Sequence, residues 1–217
     1  MKKIGFFIFF TLFFTQAFSD QGVYTFEKEN NIFYYSRDED KVLQLTSGGK
    51  NSASVLSPNG KWIAYVKRSK NIMPIDCAHS VNLNSQYANE LWVIDLSNRT
   101  QQLLVKNNFS CDDPKKMIVD PKNLQFSPDN KTLYFQTTAW ETSDAIHAVT
   151  VSTGSLRFVT DGNQYHVIQT GKHRGDLIAN QYRYHFKGDV PSGNDHWDWL
   201  FTPKGKQIKL YKKENDN

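Results

Sequence analysis

The sequence predicts an all-β chain folded as a β-propeller. Its blades are four-stranded and antiparallel, about four in number, the first incomplete, arranged as a ring or an open arc. Three observations carry this. A strand-entering turn occurs twice, as Ser57-Pro58-Asn59-Gly60-Lys61-Trp62 and Ser127-Pro128-Asp129-Asn130-Lys131-Thr132. Four hairpins share one plan of apolar strand, short polar turn and second strand. Aromatic residues make up 14% of the 217 residues, against only 7 Pro and 12 Gly, which suits strands better than helices.

Residues 1–19 stand apart from this plan. Lys2 and Lys3 precede an apolar run from Ile4 to Phe14, and Ala17-Phe18-Ser19 sets small residues before Asp20. That is the layout of a secretory signal peptide. A membrane anchor is the alternative, but the run is far short of the roughly 20 residues a bilayer span needs. No Cys follows it, so no lipid attachment is expected. The expected folded domain is then residues 20–217, periplasmic or secreted, with no membrane span after cleavage. Loss of Lys2 and Lys3 lowers the net charge from +4 to +2. Nucleic acid is therefore not an expected partner, because such binding rests on a concentrated basic footprint.

The repeats follow in order. Unit one, about 23–46, holds three strands: Val23 to Glu27, Asn31 to Arg37, and Lys41 to Leu45 beyond the Asp38-Glu39-Asp40 turn. Unit two, about 52–105, opens with the first Ser-Pro turn, in which Pro fixes φ and Asn tolerates the turn conformation. It ends with Glu90 to Leu96 turning through Ser97 to Thr100 into Gln101 to Val105. Unit three, about 122–160, repeats both features, its second hairpin turning at Ser152-Thr153-Gly154. Unit four, about 165–211, replaces the Ser-Pro turn with Gly171-Lys172-His173-Arg174-Gly175 and ends in a hairpin around Pro203-Lys204-Gly205. Repeated four-stranded units of this length are the mark of propeller blades. A β-sandwich with coincidentally similar turns is the competing architecture.

The Ser-Pro-Asx-x-Lys strand and the Leu91-Trp92-Val93-Ile94-Asp95-Leu96 hairpin resemble the TolB-like, WD40-like repeats of bacterial periplasmic proteins. Similar repeats build the propellers of prolyl oligopeptidase and dipeptidyl peptidase relatives. The resemblance covers most of residues 23–211 and implies a propeller of six or more blades, whereas this chain supplies three full units and one partial unit. Closure therefore has three outcomes: a compact four-bladed ring, an open arc capped by its own loops, or pairing with a second subunit. A four-bladed or arc-like monomer is the expectation.

Strand polarity places the connections. The short turns fall on one rim, while the long stretches Arg68 to Ala88, Lys106 to Pro121, Thr138 to Ser143 and Tyr184 to Asp195 fall on the other. Long loops on a rigid scaffold are where binding sits. Cys77 and Cys111 both lie on that rim, and in an exported protein an even pair is expected to form a disulfide. The loop it closes is worth ~3–4 kcal/mol in the chain-entropy model. The binding-face candidates are Asp76, His79, Asp112, Asp113, Trp140, Glu141, Asp144, His166, His185, Asp189, Asp195, His196 and Trp197. Their ordinary alternatives are Asp residues capping turns and His or Trp half-buried at strand ends. Along the strand at 196–201, His196, Asp198 and Leu200 face one way. Trp197, Trp199 and Phe201 face the other, and that Trp-rich face is expected to pack between blades.

No catalytic signature emerges. There is no Gly-x-Ser-x-Gly elbow, no His-Glu-x-x-His and no phosphate-cradling loop. The expected function is a binding or scaffold module that contacts protein through the long-connection face, with no cofactor, no metal and no catalytic residue assigned. The alternative is a metal-assisted carbohydrate-active enzyme of the lyase type, which some TolB-like propellers are. It would require His and Asp of this face to converge. A third reading is a truncated relic with an exposed apolar blade edge.

Overall fold

The computed structural model describes residues 22–72, 87–140 and 142–213. Sheet one holds β1 (Val23–Lys28), β2 (Asn31–Ser36) and β3 (Lys41–Gln44). Sheet two holds β4 (Asn51–Leu56), β5 (Trp62–Ile72), β6 (Tyr87–Asp95) and β7 (Thr100–Val105). Sheet three holds β8 (Lys122–Phe126), β9 (Thr132–Thr138), β10 (Asp144–Thr150) and β11 (Leu156–Asp161). Sheet four holds β12 (Gln164–Val167), β13 (Leu177–Lys187), β14 (Val190–Phe201) and β15 (Gln207–Lys213). Each sheet is an antiparallel meander. The one helical element among the described residues is a 3-10 turn, Pro114–Lys116.

The turns explain the meanders. The Ser57 hydroxyl accepts from the Trp62 N–H at 2.9 Å and donates to Asn59 Oδ1 at 2.8 Å. The Ser127 hydroxyl repeats this on Thr132 at 3.0 Å and Asp129 at 2.6 Å. Each pins a tight entry into the second strand of its sheet. The two turns also touch, the Asn59 N–H donating to Asn130 Oδ1 at 2.9 Å. The inner strands share an irregularity as well. Ala53 and Asn123, both at φ 53°, sit where β4 and β8 shift register against their partners, as bulged strands do.

Alternating apolar residues then form three seams between neighbouring sheets. Ile32, Ile63, Tyr65 and Ile94 join sheets one and two. Leu91, Val93, Leu133, Phe135 and Val149 are among those joining two and three. Tyr134, Ile146, Tyr165, Leu177 and Phe201 are among those joining three and four. Each such side chain, fully buried, is worth ~1.5–3 kcal/mol of transfer free energy. The inner strands follow one another in chain order: β1 and β2 lie against β4, β4 against β8, and β8 against β12. Among the described residues no contact of similar extent joins sheet four back to sheet one. The sheets form an open arc, not a compact four-bladed ring.

One expected connection is not a loop. The long connection expected from Tyr184 to Asp195, which carries Gly188, Pro191 and Gly193, is strand along most of its length. β13 and β14 stay paired from Leu177↔Phe201 out to Lys187↔Val190. The breakers are absorbed at the Gly188-Asp189 tip and at a register shift beside His185. Tyr182, Tyr184 and Phe186 supply the strand propensity that carries pairing through them.

Candidate functional site

Antiparallel order puts the β5–β6, β7–β8, β9–β10 and β13–β14 connections at one end of the sheets. Asp76, Cys77, His79 and Glu141 lie outside the described residues. Among those described no cysteine is free. Asp112 is exposed. Asp113 caps the 3-10 turn, accepting from the Lys115 N–H at 3.2 Å and pairing with Lys116 Nζ at 3.0 Å. The Lys116 contact holds its carboxyl below the usual carboxylate range. Asp144 pairs with Lys122 at 2.9 Å. Trp140 is half-buried, its ring edge-on to Phe158. These last three are tied into local structure.

The ribbon of β13 and β14 gathers the remaining candidates except His166. Inner strand β12 pairs with β13 only over residues 177–180, and β15 pairs with β14 only over residues 197–201. Beyond Gln181 and Trp197 the hairpin therefore runs on as two strands among the described residues. Every residue from Tyr184 to Asn194 is exposed. Phe186 is 62% and Val190 67% exposed, with Asp189 at the tip. At its base the Arg183 guanidinium lies 3.5 Å from the Trp199 ring centroid and donates to Gln181 and Gln207. Burial pushes the Arg183 pKa down. Tyr182 stacks on His196 at 4.2 Å, and Tyr184 donates to Thr142 at 3.2 Å. His185 Nε2 meets Asp195 Oδ2 at 2.7 Å, an oriented imidazole–carboxylate pair on the ribbon. Trp199 packs against the seam of sheets three and four, as its face of the strand was expected to. Trp197 is half-buried, its ring 6.1 Å from that of Trp199.

His166 belongs elsewhere. It is exposed on β12 and lines a cavity of about 640 Å³ on the inner side of the arc. Val55, Leu56, Leu124, Phe126 and Arg174 share that lining. Arg174 is held over it by Gln169 and Pro128 carbonyls at 3.3 and 3.1 Å. This cavity was not anticipated, since it exists only once three inner strands stand side by side. The His173–Asp176 pair, 2.9 Å apart on the opposite rim, was missed too; its i, i+3 spacing was the available signal. Among the described residues no three His, Cys, Asp or Glu side chains are grouped to hold a metal ion.

No protein-family model and no curated protein matches the sequence. Solved structures do match in fold. Dipeptidyl peptidase 4 of Porphyromonas gingivalis superposes with a TM-score of 0.60 at 12% identity, over 90% of this chain and 32% of that one. TolB from Acinetobacter baumannii gives 0.51 at 17%, over 88% and 40%. The β-propeller domain of the Trilobed protease from Pyrococcus furiosus, described as having an open velcro topology, gives 0.51 at 15%, over 85% and 49%. At such identities the likeness shows the fold, a propeller-like one. The chain spans between about a quarter and a half of the length of the structures it resembles.

Proposed function

We propose that this chain is an exported β-propeller module that binds a protein partner through the rim carrying the β13–β14 ribbon. The carrying observation is that ribbon: a paired, base-anchored element whose outer part exposes Tyr184 and Phe186 on one face and Val190, opposite Lys187, on the other. Exposed apolar groups on a rigid support mark contact surfaces, and aromatic side chains supply most of the energy in such contacts. The two-residue tip and a ladder interrupted only at the register shift beside His185 keep the ordering cost of binding low. Residues 1–19 serve as the export signal in this reading. Cys77 and Cys111 form a disulfide in this reading. No helix among the described residues is long and apolar enough to cross a membrane.

The test is a photo-crosslinking residue placed at Phe186 and, separately, at Asn98 on the opposite rim, in cells of the source organism. A discrete adduct from position 186 and none from position 98 is the expected result. Adducts from both positions, or from neither, would remove the ribbon as the contact surface.

A further inference from the structure

The two ends of the arc are complementary, and the seams inside the molecule say how they would meet. At each internal seam the turn between the last two strands of one sheet lies over the outer strand of the sheet before it. Gln101, at the start of β7, donates to the Leu45 carbonyl just beyond β3 at 2.9 Å. A Cβ on Gly154, in the β10–β11 turn, would stand 3.4 Å from the Leu104 carbonyl of β7. A Cβ on Gly205, in the β14–β15 turn, would stand 2.1 Å from the Val159 carbonyl of β11, a contact only glycine permits. Among the described residues the rule leaves one such turn without a strand beneath it, Arg37–Lys41 of sheet one, and one outer strand without a turn above it, β15.

These two carry opposite charge. The β2–β3 turn holds Asp38, Glu39 and Asp40 between Arg37 and Lys41. Residues 202–213 contain no carboxylate and include Lys204, Lys206, Lys209 and Lys212. Register puts Lys209 and Lys212 opposite Leu200 and Asp198. That face of sheet four is the one turned away from sheet three, which packs on Trp199 and Phe201.

The far face of sheet one is apolar. Ile32 and Tyr34 point into the first seam. Alternation therefore sends Tyr24, Phe26, Phe33, Tyr35 and Val42 to the other side, as the register Tyr24↔Tyr35↔Val42 and Phe26↔Phe33 requires. Tyr24 and Tyr35 lie 5.1 Å apart, and Phe26 and Phe33 stack at 5.3 Å. Tyr24 is 45% and Val42 54% exposed. Inside the molecule such a face is covered by the preceding sheet.

We infer that a second copy of this chain supplies that sheet. β15 of one copy lies under the acidic turn of the other, and the same contact repeats across a two-fold axis. Two arcs of four sheets would close a ring of eight, the upper end of the range propellers use. A symmetric pair of end-to-end contacts stops at two copies because the ring is then complete.

The purified chain is examined by sedimentation equilibrium from about 1 to 100 μM, a range that detects dissociation constants of ordinary reversible dimers. The expected result is a dimer whose association weakens at least tenfold in D38K/E39K and again in K209E/K212E, with the four substitutions combined restoring the dimer. All four side chains are exposed, so the sheets themselves should be undisturbed. A monomer at the highest concentration overturns the proposal. So does a dimer indifferent to both pairs of substitutions, or assembly that continues beyond two copies.

Discussion

Sheet three is covered on both faces, and the two faces are built differently. Toward sheet two it presents Leu133, Phe135 and Val149 to an aliphatic cluster, with one ionisable group set among them, His147. Toward sheet four it presents Tyr134, Ile146 and Ala148, and three glutamines fasten the same boundary. Gln125 spans the inner strands: its Nε2 donates to the Tyr165 carbonyl and its Oε1 accepts from the Val167 N–H, both at 2.9 Å. Gln136 donates to the Gly162 carbonyl at 2.8 Å and accepts from Asn123. Gln181 donates to Thr160 Oγ1 and to the Asp161 carbonyl at 3.0 and 2.9 Å. One seam is held by buried area, which has no preferred direction. The other adds bonds that fix the register of one sheet against the next.

The largest break in this comparison is Phe135→Ala. The side chain is fully buried, and truncation should cost about 3–5 kcal/mol, the usual range for emptying an aromatic site. Urea unfolding followed by tryptophan fluorescence measures it. An effect below about 1 kcal/mol would mean that sheets two and three are not joined as described, since even a partly collapsed cavity costs more than that.

The ionisable group in the same seam makes its stability depend on pH. His147 is 1% exposed, stacked on Phe135 at 5.2 Å and edge-on to Phe158. Thr137 has one hydroxyl hydrogen and donates it to the Met117 carbonyl. The 2.9 Å contact between Thr137 and the His147 Nε2 is therefore an N–H donation from the neutral ring. Burial lowers the His147 pKa from 6.5 to about 4. The unfolded chain then binds the proton first. The stability this histidine contributes is full above about pH 6.5, declines as pH falls toward 4, and levels off below, a total of roughly 3 kcal/mol. The exposed carboxylates also titrate in acid, so the measured quantity is the difference in pH slope between the native protein and His147→Leu. Identical slopes from pH 6.5 to 4 would refute a buried neutral ring.

Gln136→Leu tests the other seam. It leaves the buried Gly162 carbonyl without this partner, which costs about 1–3 kcal/mol, while the amide of the exposed Asn123 can turn to water. Hydrogen exchange should accelerate in β12 and β13 while β5 and β6 keep their protection. Uniform acceleration across all four sheets would mean the seam has no local role.

The aliphatic seam was legible in the sequence, because uninterrupted apolar runs such as Leu133-Tyr134-Phe135 and Ala148-Val149 suit strands buried on both faces. The unit boundaries and the missing strand of unit one were legible from the repeated turns and hairpins. The glutamine clamps were not. A carboxamide reads as a surface residue until the neighbouring sheet delivers a carbonyl to it. The candidate site divides likewise. His185 and Asp195 were picked out as polar residues of one rim, and pairing across the ribbon brings them together. The ribbon itself was hidden because Gly188, Pro191 and Gly193 imitate a loop. The inner cavity was hidden because no local pattern encodes three strands standing side by side.

The smallest effects give the sharpest comparison, between the two Ser-Pro turns. Ser57→Ala and Ser127→Ala each remove a hydroxyl that accepts one backbone N–H and bonds one side chain. Each should cost about 0.5–1.5 kcal/mol. The partners differ in one respect: Ser57 donates to the amide of Asn59, Ser127 to the carboxylate of Asp129. The Ser127 hydroxyl is the main reason the Asp129 pKa lies below the usual carboxylate range. A carboxyl whose folded pKa is depressed adds stability above its unfolded pKa and loses it as pH falls through the folded value. The cost of Ser127→Ala should accordingly shrink in acid, as Asp129 protonates, while that of Ser57→Ala stays level. Parallel costs for the two variants from pH 7 down through the carboxylate range would mean that the hydroxyl–carboxylate bond does not form in solution.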